Sequence, residues 1–275
     1  MTEDRKRAAV STLEATNLLV GIDDTDNLVS SGTGQLVQRL VAMLQTRETR
    51  ETLGVASVLG ATRHQLLVDP RIPYTSHNSS ACVAMHADPG AVDRIVAYCA
   101  AFLEAHSAAG SDPGLAVVSS AAWSPDEARR ALIVFGGRAK REVLDQGQAQ
   151  NCARAVGAHL SGHGGDSGGI IGALAAVGLH LSGADGMFIW MPGIRAMRGV
   201  VTYRELRSLT SIDLACDPGG AEPAPGDLIA LGEWVRPVLR HGRAVLLVDA
   251  QDGGVGPGSV PARWALVPRE VVKAH

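Results

Sequence analysis

The 275-residue sequence predicts a layered α/β protein that is α+β overall, and three observations carry that expectation. Apolar residues make up 46% and charged residues 19%, so the chain can bury a large core and is far from the composition of disorder. Aromatics are only 4% while glycines number 32, which suits close backbone approach between layers better than an aromatic-rich β-sandwich. Short apolar runs alternate with helically spaced ones along the first half of the chain.

The elements follow in order. Asn17 to Ile22 is an apolar run read as a buried strand, Asp23 to Gly34 is a polar loop, and Gln35 to Gln45 is a helix with Leu36, Val37, Leu40, Val41 and Leu44 on one face. Val55 to Leu59, Gln65 to Val68 and Ala81 to Met85 read as further strands. Between the last two, the prolines of Asp69 to Tyr74 impose an extended or turning segment. Pro89 to Ala105 is a helix with Val92, Ile95, Val96, Cys99 and Phe102 on one side. Leu115 to Val118 is apolar, and Ser124 to Glu127 starts another helix. A seam between two units falls near Ser119 to Ser124. Ala139 to Leu160 reads as helical, a glycine run covers Ser161 to Gly169, and Ile170 to Leu181 is an apolar helix. Met187 to Trp190, Leu228 to Leu231, Arg236 to Leu239 and Ala244 to Val248 read as strands, with Cys216 to Asp227 a surface loop.

Charge and cysteine usage narrow the functional classes. Lys plus Arg is 25 against 28 for Asp plus Glu, a net charge of −3, so no global basic field points to nucleic acid; a local patch stays open. DNA and membrane partners are not expected. Cys82, Cys99, Cys152 and Cys216 form no Cys-x-x-Cys pair, which argues against a zinc ribbon. The charged start, Glu3 to Arg7, has no apolar stretch behind it, and the run at Ile170 to Leu181 is too short to span a bilayer. A cytoplasmic location is the expectation.

The sharpest chemical signal is Asp23-Asp24-Thr25-Asp26, three carboxylates in four positions directly after an apolar strand. In a partly desolvated site they repel one another unless a cation compensates. Mg²⁺ is the natural one, because it is hard, takes oxygen ligands and bridges carboxylates to nucleotide phosphates. Gly32, Thr33 and Gly34 then lead into a helix N-terminus, where backbone N–H groups favour an anion. Two alternatives stand beside this reading: a solvated turn that caps the helix, and an aspartyl-phosphate enzyme, for which no downstream Lys and Asp complete the set. Arg63 to Ser80 is a second polar stretch, with His77 and Asn78 placed to orient a substrate or to close a hydrogen-bonded turn. Gly162 to Gly172, with His163, Asp166 and Ser167 among its glycines, either binds an anion or lets a helix pack tightly. Asp112-Pro113-Gly114 reads as a turn before it reads as a further acid of the site.

Taken in order, Gly-Ile-Asp-Asp-Thr-Asp at 21–26, Asp-Pro-Arg-Ile-Pro-Tyr at 69–74 with Asn78 after it, Asp-Pro-Gly at 112–114 and Gly-Gly-Ile-Ile-Gly-Ala-Leu-Ala-Ala-Val-Gly at 168–178 resemble the archaeal tRNA-isoleucine 2-agmatinylcytidine synthetase family. That family uses ATP to phosphorylate a cytidine C2 oxygen and then displaces it with the amine of agmatine. The resemblance implies a kinase-like ATP- and Mg²⁺-binding domain over 14–122 and a ferredoxin-like domain with a C-terminal β extension over 123–275. It implies that Asp23, Asp24 and Asp26 are catalytic and metal-holding, that Thr25, Gly32, Thr33 and Gly34 contact the nucleotide, and that His77, Asn78, Gly168 and Gly169 face the substrate.

The family's OB-fold and zinc ribbon have no counterpart between 1 and 275. Thr75, Ser76 and His77 stand where the family carries Lys and Arg, and Gln35 and Leu36 fall near the places of its threonines. The expectation is an ATP-dependent kinase or ligase acting on a small molecule or nucleotide. A compact tRNA-modifying ligase and a non-catalytic nucleotide-binding protein are the alternatives.

Overall fold

A computed structural model describes residues 15–72, 77–251 and 262–273. Pro73, Tyr74, Thr75 and Ser76 and the charged start of the chain lie outside the described residues, so the readings made there are not followed further. The protein is α+β. In chain order the elements are β1 (Leu18–Asp23), α1 (Thr33–Leu44), α2 (Arg47–Leu53), β2 (Val55–Gln65), β3 (Ser79–Ala87), α3 (Val92–His106), β4 (Gly114–Ser119), α4 (Ser120–Trp123), α5 (Asp126–Ala139), α6 (Gln146–Val156), β5 (His159–Gly162) and α7 (Ile170–Ser182). The second half continues with β6 (Met187–Trp190), β7 (Gly199–Thr202), α8 (Tyr203–Leu209), β8 (Leu214–Cys216), β9 (Leu228–Leu231), β10 (Val238–Arg240), β11 (Arg243–Ala250), β12 (Trp264–Leu266) and α9 (Arg269–Lys273).

The strands run in the order β5-β4-β1-β3-β2-β6-β10-β11-β12-β9-β7, with β8 joining β11 off that path. β1 lies between β3 and β4 and is antiparallel to both. Both of its faces are covered, which is why Leu18 to Ile22 is continuously apolar rather than alternating. Leu18, Val20 and Ile22 pack with Leu36, Val37, Leu40 and Val41 of α1 and Ile95 and Phe102 of α3. Each such buried side chain contributes about 1.5–3 kcal/mol. Leu19 faces the other way, with Cys82, Ala84, Ala116 and Val118, onto Leu132 and Phe135 of α5, Ala149 and Ala153 of α6 and most of α7. The expected division after residue 122 runs through this shared core, because α5, α6 and α7 cover the sheet that β1, β3 and β4 build. A separate core gathers Phe188, Tyr203, Leu206, Ile229, Leu246 and Trp264 in the second half.

Several expectations are corrected by local chemistry. The helix expected over 139–160 is two elements: α5 stops at Ala139, and Asp145 restarts the chain as α6 with a capping box to Gln148. Beyond it, His159–Gly162 joins the sheet edge against β4 instead of extending the helix. Val55 to Gln65 is one strand, and Leu66 to Val68 leaves the sheet. α2 was not expected because Arg47 to Leu53 buries only Leu53; Thr46 caps its start by accepting from the Thr49 N–H, and Gly54 ends it at φ +74°.

Candidate active site

The end of β1, the Asp-Pro-Gly turn before β4 and the start of α7 meet through backbone rather than side chains. A Cβ on Gly21 would lie 2.0 Å from the Ala173 carbonyl oxygen, and one on Gly114 would lie 2.1 Å from the Gly169 carbonyl. Glycine alone allows that approach. Of the two readings of the glycine run, close packing is the one this geometry bears out. Its result is to bring Asp23, Asp24, Asp112 and Asp166 to one place.

That place is the floor of a cavity of about 360 Å³. Its lining includes Asp23, Asp24, Asp26, Asp112, Glu142, Asp145 and Asp166, with Arg71 the one Lys or Arg in the lining among the described residues. Arg71 is already bound to Asp69 through two hydrogen bonds of 2.8 Å. Leu66, Ile72, Ala139, Val143, Leu144 and Ile171 supply an apolar wall. Carboxylate excess beside hydrocarbon defines the site, and the 139–146 segment supplies both, with Glu142 and Asp145 next to Val143 and Leu144.

Within the floor, burial first and the neighbouring Asp24 charge second push the Asp23 carboxyl up to about 7, although the Asp24 N–H donates to it and works the other way. Its Oδ2 lies against the first turn of α7, where a Cβ on Gly172 would come within 1.7 Å. Asp24 is pushed up to about 6, again by burial first and then by Asp112, Asp26 and Asp166. It holds φ +53°, a left-handed conformation that aspartate tolerates better than most residues. Asp112 is also raised, by burial and by the Asp166 charge, while its Oδ1 accepts the Asp166 N–H at 3.0 Å.

The other expected residues divide. Asn78, His77, Gly168 and Gly169 line the cavity. Asn78 also closes the base of its loop, donating from Nδ2 to the Leu67 carbonyl at 2.6 Å while its own carbonyl accepts from Leu66 N–H at 2.9 Å. Thr25, Gly32, Thr33 and Gly34 are not among the lining residues. Thr25 and Thr33 are buried and bonded to each other, Thr33 Oγ1 accepting from the Thr25 N–H at 3.3 Å and lying 3.1 Å from Thr25 Oγ1. Thr33 Oγ1 also donates to Asp26 Oδ1 at 3.0 Å. These residues clasp the acidic loop to α1, a task that two small hydroxyls buried side by side perform well.

Sequence reasoning took Asp112 first for a turn residue, met Asp166 only as a member of the glycine run, and did not single out Glu142 or Asp145. The glycines around Asp166, which only make sense if another backbone lies against them, were the available signal. The wall formed by 139–146 is itself tied down from behind. Lys140 is ion-paired to Asp185, Asp185 Oδ1 accepts from His64 Nδ1 at 2.9 Å, His64 Nε2 lies 2.8 Å from Thr62 Oγ1, and Thr62 Oγ1 lies 2.9 Å from His180 Nδ1. Thr62, His64 and His180 are fully enclosed.

Among the described residues, no three His, Cys, Asp or Glu side chains are grouped so as to hold a metal ion by themselves. The three acids after β1 are therefore not a closed cage, and Asp26 in particular is engaged by Thr33. The donor set still fits Mg²⁺, which commonly uses one or two carboxylates and completes its shell with phosphate oxygens and water. Among the described residues no helix is long and apolar enough to cross a membrane.

No family model matches the chain, and no curated protein matches it. Among solved structures it is similar to the complex of TiaS with an isoleucine tRNA and ATP, at 25% identity over 59% of this chain and 36% of that one, with a TM-score of 0.48. A tRNA fluorescent labelling enzyme gives 26% identity, 59% and 36% coverage and a TM-score of 0.48. The complex of TiaS with an isoleucine tRNA, AMPCPP and agmatine gives 25% identity, the same coverage and a TM-score of 0.47. The chain thus spans little more than a third of the length of these structures, and a likeness of that extent carries no argument about its chemistry.

Proposed function

We propose that the protein is an enzyme that uses ATP and Mg²⁺ to phosphorylate an oxygen of a small-molecule or nucleotide acceptor, which an amine then displaces in the fuller version of the reaction. The observation that carries this reading is the convergence of seven carboxylates on one cavity where, among the described residues, the one Lys or Arg in the lining, Arg71, is already paired. Such a site is unfavourable by itself and becomes favourable when divalent charge and phosphate enter together. The order of motifs shared with the agmatinylcytidine synthetases supports the same chemistry from the sequence side.

In this reading Asp24, with Asp112 and Asp166 pressing on it, would hold the ion, which when bound would neutralise phosphate charge. Asp23, with a pKa near neutrality and enclosed at the floor, is suited to accept the proton that the acceptor hydroxyl gives up. Asp26 and the Thr25–Thr33 clasp position both acids from the side. His77, Asn78 and the apolar wall face the acceptor, and excluding water there favours transfer to it over hydrolysis.

Replacing Asp24 by Asn tests the proposal. Turnover of ATP with an acceptor should fall by at least about a hundredfold, the scale expected for losing electrostatic stabilisation of transferred charge, while the thermal transition persists. Full activity in Asp24→Asn, or a wild type indifferent to millimolar magnesium nucleotide, would overturn it. A tRNA-modifying ligase is the second reading, favoured by the motif order alone; salt-sensitive submicromolar affinity for tRNA would select it.

A further inference from the structure

The β-rich half of the molecule carries a second charged feature, opposite in sign to the acidic cavity. Trp234, in the segment before β10, has two guanidiniums against its ring, Arg236 at 5.8 Å and Arg269 at 5.2 Å from the ring centroid. Arg236 is half-buried, and burial followed by the charges of Arg195 and Arg269 lowers its pKa. Arg195, from the segment after β6, donates to the Gln38 side chain of α1 and shares with Arg39 an open groove of about 500 Å³. Four arginines from four separate stretches of chain therefore follow one another across the surface.

None of the four is ion-paired to a carboxylate among the described residues, although Glu233 and Glu270 are their neighbours in sequence. An indole steadies a guanidinium through its π face without cancelling its charge, whereas a carboxylate would cancel it. The positive charge is held in place and left available. Two like charges, Arg195 and Arg269, acting on the half-buried Arg236 are unfavourable until an anion joins them. The planar guanidinium fork can bind phosphate oxygens two at a time.

We propose that Arg39, Arg195, Arg236 and Arg269, braced by Gln38 and Trp234, form a strip that binds a chain of phosphate groups, the chemistry shared by a nucleic-acid strand and inorganic polyphosphate. The spread of four guanidiniums over separate elements suits a chain of phosphates. The net charge of −3 leaves room for this, since the strip is local and the acids are concentrated elsewhere. None of the four arginines lines the acidic cavity, so the strip stands independently of the function proposed for it.

The test is fluorescence anisotropy of the full chain with a labelled oligouridylate of about twelve nucleotides, a length in the usual range for single-strand sites, at about 50 mM salt. Arg195→Glu combined with Arg269→Glu should weaken binding by at least about tenfold and flatten the salt dependence by about 0.7 in log–log slope per lost contact. Arg195→Lys with Arg269→Lys should keep most of the affinity, and Asp24→Asn should bind like the wild type. Should the double charge reversal fail to fold, Arg195→Gln at its exposed position should still weaken binding several-fold.

Displacement by inorganic polyphosphate as well as by unlabelled oligonucleotide supports the shared chemistry, and displacement by only one of them assigns the source. The proposal is overturned by no binding at low salt, by equal displacement with polyglutamate, by unchanged affinity in the double variant, or by an equal loss in the distant Arg47→Glu control.

Discussion

Replacing Asp23 by Asn in magnesium-free buffer should make the protein more stable at alkaline pH, a direction opposite to that of most buried substitutions. The folded protein holds the Asp23 carboxyl at about 7 against 3.8 as the ordinary value, so the folded state binds this proton more tightly than the unfolded chain. With more protons bound in the folded state, stability falls as pH rises between about 4 and 7 and is level for this group outside that window. A rise of that size corresponds to about 4 kcal/mol at most, reduced by relaxation around the charge and by the overlapping titration of Asp24. Asn keeps the shape and cannot ionise. The variant should therefore match the wild type near pH 4 and exceed it by roughly 2–4 kcal/mol at pH 8. Urea unfolding at the two pH values with a chelator present measures the difference, and adding Mg²⁺ should recover stability in the wild type far more than in the variant. Parallel pH dependence of the two proteins between pH 4 and 8 would refute the reasoning.

Gly172→Ala places a methyl 1.7 Å from Asp23 Oδ2, so overpacking of about 1–3 kcal/mol competes with a helix-propensity gain of about 1 kcal/mol. Chemical denaturation should show a net change of roughly 0–2 kcal/mol, while calorimetric affinity for magnesium nucleotide drops by at least about tenfold, or about 1.4 kcal/mol. Thr33→Val removes the acceptor of the Thr25 N–H and the donor to Asp26, and a loss of about 1–3 kcal/mol is expected in thermal unfolding. Asp185→Ala strips Lys140 and His64 of their shared carboxylate, and equilibrium unfolding should register a loss of about 3 kcal/mol.

The strand, acidic loop and helix at the start of the fold were legible because each is local: Leu18 to Ile22 needs only to be apolar, and α1 presents its five core residues at helical spacing. The acids after β1 could be found for the same reason. Asp112 and Asp166 could not be joined to them, because what makes them part of the site is the approach of α7 to β4, a contact between segments some fifty residues apart. The nucleotide role expected for Gly32, Thr33 and Gly34 followed from a general preference of anions for helix starts. In the fold Thr33 at that helix start is bonded to Thr25 and Asp26, and neither it nor Gly32 or Gly34 is among the residues that line the cavity. The break between α5 and α6 was missed since Lys140 to Asp145 carries neither proline nor glycine, and Asp145 reads as a cap only once Gln148 is seen to return its bond.

Where carbonyl groups and α-carbons abut with nothing interposed, as at Gly21, Gly114 and Gly169, an ordinary amino-acid exchange has no small step to offer. The anionic floor consequently behaves as a fixed casting. Anyone wishing to change what this protein accepts would find the adjustable material in Val143 and Ile72, which line the cavity but stand outside the buried core that holds α7 in place.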